Sequence, residues 1–164
     1  MPSFGDFSTR MKQLGLTMVQ PCIEIVESDI EEFGKVVVMC YHKEVAKQIA
    51  SHFPNSVLID GDVAPTARQE LVDRFQNDPG VNPLVGTVGA CSEGLEMTAA
   101  KLMVFPERDW VPGKVTQAED RIHRRGQTES VLYKHLVREG SLAERQVKIL
   151  VDKQEKNDRM LDRG

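Results

Sequence analysis

At 164 residues the chain is long enough for one compact domain of about 150 residues with a core of its own, and too short for a tandem of large domains. Hydrophobic residues make up 40% and charged residues 28%, with 12 Gly and 8 Pro, which excludes a disordered or collagen-like chain. The net charge of −4 excludes a protein that coats nucleic acid by bulk charge.

In chain order, the hydrophobic pattern switches between helical period and short apolar runs. A helix is expected over 21–33, with Pro21 at its first position, Ile23, Val26 and Ile30 at helical spacing, and Gly34 as its stop. Lys35–Cys40 is a continuous β-branched run, the mark of a strand covered on both faces. Residues 43–53 return to helical spacing through Val45, Ile49 and Phe53. Val57–Ile59 is a short strand that runs into Asp60-Gly61-Asp62. Pro65 or Thr66 opens a helix through Leu71, Val72 and Phe75, closed by Asn77-Asp78-Pro79-Gly80.

Pro83–Val88, Leu102–Phe105 and Val131–Val137 are read as three further strands, with a short helix over 114–124 between the last two. A trailing helix is expected over 141–163, opened by the capping box Ser141-Leu142-Ala143-Glu144 and carrying Val147, Leu150 and Val151. The expected architecture is α/β: one domain over 1–164, with a parallel sheet, helices on both faces, an opening segment over 1–19 and the trailing helix. Such sheets bind ligands at the C-terminal ends of their strands.

Cys22, Cys40 and Cys91 are odd in number, far apart and without a CxxC pair, so buried reduced thiols are expected rather than disulfides or a metal site. The N-terminus lacks the pattern of a secretory signal, and no apolar run approaches the roughly 18 residues of a membrane span. An intracellular protein with no membrane partner is therefore expected, in cytoplasm, nucleoid or nucleus, or encoded by a virus and acting in its host. The acidic surplus is confined to residues 1–34, where two basic residues face six acidic ones; the remaining 130 residues balance at 19 against 19.

The most informative stretch is Gln117–Gln127, QAEDRIHRRGQ. On a helix Gln117, Arg121 and Arg124 share one face. Guanidinium forks suit phosphate, binding two oxygens at once at any working pH. Taken alone, the same helix also reads as a solvated face pairing with Glu119 and Asp120.

The stretch resembles motif VI of superfamily-2 helicases, QxxxRxxR, in its Swi/Snf-type form. KVVVMCYHKEV (Lys35–Val45) is similar to motif IV, LIDGDVAPTARQELVDRFQ (Leu58–Gln76) to motif IVa and GTVGACSEGLEMTAA (Gly86–Ala100) to motif V. Asp109-Trp110-Val111-Pro112-Gly113 resembles the segment that precedes motif VI, and Arg10–Leu16 and the C-terminal segment resemble the first and last helices of the same lobe. Among Swi/Snf-type enzymes the likeness is closest to the annealing helicases.

The resemblance implies a RecA-like lobe 2, the second half of a DNA-dependent ATPase. ATP would be shared with a lobe 1 that carries the phosphate loop and a DExH-type motif, with Mg2+ held through that lobe and none by this chain alone. Arg121 and Arg124 match the arginine fingers and Gln117 the motif VI glutamine; Gly94 and Glu96 match nucleotide-side positions. His123 would orient its helix, and Trp110 would pack against it or stack on a base. Tyr41, His42, Lys43, Gly61, Arg68 and Thr87 match positions that follow the DNA backbone, so duplex or forked DNA is the expected partner, without sequence preference. The chain departs from the family at Ser92 and Glu93, where many relatives carry glycines.

No GxxxxGK(S/T) and no DExH motif occurs, so the chain holds half of such an active site and is expected to hydrolyse ATP negligibly alone. Lobe 1 is then expected on a separate polypeptide or on another part of a longer chain; Met1 just ahead of the family-like start fits a separately encoded lobe. The alternative is a non-enzymatic DNA-binding or regulatory module derived from a helicase lobe. An unrelated flavodoxin-like enzyme is a third reading.

Overall fold

The computed structural model describes residues 4–91, 95–107, 131–138 and 147–154. Two helices come first, α1 (Phe4–Thr17) and α2 (Val19–Phe33). They are followed by β1 (Val36–Cys40), α3 (Lys43–His52), β2 (Val57–Ile59), α4 (Pro65–Asn77), β3 (Leu84–Thr87), β4 (Leu102–Phe105), β5 (Val131–Arg138) and β6 (Val147–Gln154). α1 contains the Arg10–Leu16 segment. α2 starts two residues ahead of Pro21, which therefore sits inside the first turn, where a missing N–H costs no intrahelical bond. Gly34 ends α2 at φ 82°, a conformation that favours glycine.

The sheet has the order β2-β3-β1-β4-β5-β6. The first five strands run parallel and β6 pairs antiparallel with β5, from Val131 opposite Gln154 to Arg138 opposite Val147. Alternate residues of the strands feed two cores. Val36, Val38, Cys40, Val85, Leu102 and Val104 pack with α2 and α3. Val37, Met39, Leu84, Met103, Phe105 and Tyr133 pack with α4 and the chain after β3. Every residue of β1 is buried, which is why its sequence is apolar without alternation. Each such side chain contributes about 2 kcal/mol of burial.

The trailing helix expected over 141–163 is corrected in part: residues 147–154 form β6, and the rest of that segment lies outside the described residues. Val147, Ile149 and Val151 recur at every second position, and the free edge of β5 offers a full backbone ladder that a helix would leave unpaired. The helix expected over 114–124 also lies outside the described residues.

Polar contacts tie the layers together. Lys134 of β5 donates to Asp29 Oδ1 of α2 at 2.6 Å, and burial raises the Asp29 carboxyl above its ordinary range despite that ammonium. At the N-terminal edge of the sheet, Lys35 Nζ donates to the carbonyls of Asp78 and Val81, each at 2.5 Å, and lies 4.8 Å from the Phe75 ring centre. Burial lowers this ammonium from its usual value. Asn82 accepts from the Val36 N–H and donates to the Gly34 carbonyl, joining the start of β1 to the segment before β3.

Candidate nucleic-acid interface

Parallel pairing brings the chain segments after β1, β2 and β3 to one edge of the sheet. Cys40 stands level with Thr87, and Ile59 with Gly86. At that edge lies a cleft of about 340 Å³ lined by Tyr41, Lys43, Gly61, Arg68, Thr87, Gly89 and Ala90. Five of the six residues matched to DNA-backbone positions thus meet in one place. The sixth, His42, is absent from the lining.

Each lining group is placed by local structure. Lys43 opens α3 and is exposed. Gly61 sits in the turn after β2, where Asp60 Oδ1 accepts the Asp62 N–H at 2.8 Å and the Asp60 carbonyl accepts the Val63 N–H at 3.1 Å. Arg68 stands in the first turn of α4; its Nε donates to the Val63 carbonyl at 3.0 Å and its Nη1 to the Ala90 carbonyl at 3.2 Å. Thr87 ends β3, its Oγ1 accepting the Ala90 N–H at 3.4 Å. A Cβ built on Gly61 or Gly89 meets nothing within 4 Å, so packing does not require a glycine at either place.

The charge beside the cleft is graded. Lys47 Nζ donates to Asp62 Oδ2 at 2.7 Å, and Lys43 Nζ reaches Asp62 Oδ1 at 3.5 Å. The Lys47 hydrogen bond, followed by the Lys43 charge, holds the Asp62 carboxyl below its ordinary value, and the same bond raises the Lys47 ammonium. Such exposed pairs are weak, so Asp62 holds the Lys43 ammonium only loosely. Asp60 is buried, and its Oδ2 has no hydrogen-bond partner among the described residues; the nearest ammonium, Lys47 Nζ, is 4.0 Å away.

Sequence reasoning missed Glu107, which follows β4 by two residues and is buried. Its Oε2 accepts the N–H groups of Tyr41 at 2.6 Å and His42 at 2.9 Å, while Oε1 meets His42 Nδ1 at 2.5 Å. The available signal is an acidic residue directly after a buried strand, at the edge where ligands bind. Of the nucleotide-side candidates, Glu96 is exposed between buried Leu95 and Met97; Gly94, Gln117, Arg121 and Arg124 lie outside the described residues. Among the described residues, no group of three or more His, Cys, Asp or Glu side chains is arranged to hold a metal ion.

The helicase conserved C-terminal domain family matches residues 17–126, a span that includes the segments 35–45, 58–76 and 86–100 and nearly all of 117–127. The chain belongs to the helicase C-terminal domain family. This helicase lobe is 36% identical over 151 residues to the TATA-binding protein-associated factor mot1 of Aspergillus fumigatus, a match that covers 88% of the lobe and 7% of that protein. It is 43% identical over 86 residues to the human DNA annealing helicase and endonuclease ZRANB3, covering 52% of the lobe and 8% of the relative. A SWI/SNF-related regulator of chromatin from Xenopus laevis is 35% identical over 129 residues, covering 76% and 13%. The lobe therefore spans only a small fraction of these relatives' length.

Among solved structures, the C-terminal part of the Fun30 ATPase domain matches 72% of the lobe and 40% of that chain at TM-score 0.64 and 21% identity, a likeness of fold. The Sulfolobus solfataricus SWI2/SNF2 ATPase core domain matches 69% of the lobe and 23% of that chain at TM-score 0.55 and 28% identity. The RecA-like sheet and the Swi/Snf-type resemblance read from the sequence both stand. No described helix is long and apolar enough to cross a membrane.

Proposed function

We propose that this helicase lobe is the second motor lobe of a Swi/Snf-type DNA-dependent ATPase, acting with a lobe 1 on a separate polypeptide or elsewhere on a longer chain. The observation that carries the DNA half of the reading is the meeting of Lys43, Arg68, Thr87 and two glycines in one cleft at the strand ends. Lys43 supplies a point charge, Arg68 a guanidinium already braced by two carbonyls, and Thr87 a hydroxyl proton. Gly61 and Gly89 let a sugar-phosphate chain approach closely. The cleft offers donors and cations with few aromatic platforms, and the Arg68 fork is already engaged by the Val63 and Ala90 carbonyls, which suits contact to the backbone of duplex or forked DNA.

When bound between the lobes, ATP with its Mg2+ on lobe 1 would supply the transferring phosphoryl group. Arg121 and Arg124 are then the fingers that stabilise its charge, an effect of about 10³ to 10⁵ in rate in related hydrolases, with Gln117 beside them. Gly94 and Glu96 belong to the nucleotide side of the same reading. The place of action is the compartment that holds the DNA.

The test is an affinity pull-down from the native source with a slowly hydrolysed ATP analogue and forked DNA, read by mass spectrometry. Recovery of a polypeptide, or a longer form of this chain, carrying a phosphate loop and a DExH-type motif is expected, with ATPase activity of the reunited lobes lost in Arg121→Ala. The cleft is built from this chain's own residues, which favours one second reading: a DNA-binding or regulatory module without an engine. Recovery of DNA alone, indifferent to nucleotide and to Arg121→Ala, would select it.

A further inference from the structure

We propose that Glu107 is the positioning residue of the cleft, and that Gly15 of α1 is the seat that holds its carboxylate in place; this rests on reading the cleft as a DNA-backbone site. Glu107 does not line the cleft. It acts on the segment that does. Tyr41 and Lys43, which line it, flank His42, and one carboxylate oxygen of Glu107 takes both the Tyr41 and the His42 N–H while the other holds the His42 ring. α3 has no side-chain cap of its own; Glu107 takes the N–H of its N-cap residue His42 and of Tyr41 before it, adding a carboxylate beside Glu44 of the first turn, where it complements the helix dipole.

The Glu107 side chain is 3% exposed. A Cβ on Gly15 would lie 2.3 Å from its Oε1, 2.8 Å from its Cδ and 3.0 Å from Val45 Cγ2. A side chain at position 15 therefore presses on the Glu107 carboxylate and disturbs the bonds it makes to Tyr41 and His42. Lys12 of α1 reaches Glu44 of α3 at 3.8 Å, a second tie between the same two helices. Through this seat the position of α1 is linked to the backbone that presents Lys43.

The experiment measures binding of the full chain to mixed-sequence duplex DNA by fluorescence anisotropy over a salt series, alongside thermal melts and 1H–15N spectra. Lys43→Ala is expected to weaken binding about tenfold and to lower the salt slope by about one. Glu107→Ala is expected to match both effects, with the Tyr41 and His42 amide resonances moved. Glu107→Gln keeps an acceptor oxygen for the two N–H groups and is expected to restore affinity to within about twofold of wild type. Gly15→Ala reaches the same end from α1, and carries the test if Glu107→Ala fails to fold. Wild-type affinity in folded Glu107→Ala, or in Gly15→Ala, beside weakened Lys43→Ala overturns the positioning role and leaves the cleft reading intact. Wild-type affinity in both Lys43→Ala and Arg68→Ala removes the cleft reading, and the proposal with it.

Discussion

A methyl group on Gly86 would lie 2.6 Å from Cys91 Sγ and 3.3 Å from the Ile59 carbonyl. Only a residue without a side chain lets the turn after β3 fold back over the sheet, and that turn supplies the Ala90 carbonyl on which Arg68 leans. Cys91 is buried, and its N–H is bound to the Thr87 carbonyl at 3.0 Å, so the sulfur has little freedom to retreat. Gly86→Ala is expected to destabilise the chain by about 2 kcal/mol, seen as a lower urea midpoint at unchanged m-value. An unchanged midpoint would show that the turn relaxes freely around the added carbon.

At the scale of elements, α2 and β5 are joined by a charge pair between buried Asp29 and half-buried Lys134. Lys134 is the only ammonium the described residues offer Asp29, whose Oδ2 has no hydrogen-bond partner among them. Lys134→Met leaves the carboxylate uncompensated and is expected to cost about 3 kcal/mol at pH 7. The sign of the pH dependence follows from the raised Asp29 carboxyl. A group that binds its proton more tightly when folded favours folding below its unfolded value of 3.8 and loses that contribution as pH rises through the folded value. Removing the ammonium raises the folded value further, so the deficit of Lys134→Met shrinks as pH falls toward 4; urea titrations at pH 7 and pH 4.5 check this.

The elements differ in how plainly the sequence announces them. β1 is legible because five consecutive buried positions leave no room for polar residues. Gly86 and Gly61 are visible as glycines at strand ends, and Lys43, Arg68 and Thr87 follow the same strands closely enough to be placed at one edge. β6 is not legible: Val147, Leu150 and Val151 suit a helix as well as Val147, Ile149 and Val151 suit a strand, and the open edge of β5 decides between them. Glu107 is hidden for a related reason. Its partners are backbone N–H groups 65 and 66 residues earlier in the chain, and no local pattern reports which carboxylate will find them.

For the whole molecule, the sheet separates two cores, and the three cysteines sample both. Cys22 on α2 and Cys40 at the end of β1 belong to one, and Cys91 beneath the cleft belongs to the other; all three are fully enclosed. Burial drives the Cys22 and Cys40 thiols well above their usual range, so almost no thiolate exists to react. A maleimide should therefore leave the folded chain unmodified for hours and label it only as it opens. Rapid labelling of any one thiol in the native state would contradict that packing. Because the labelled peptides are told apart by mass, the three sulfurs form a built-in clock: the order in which they take up reagent records which side of the sheet comes apart first, without any probe being introduced.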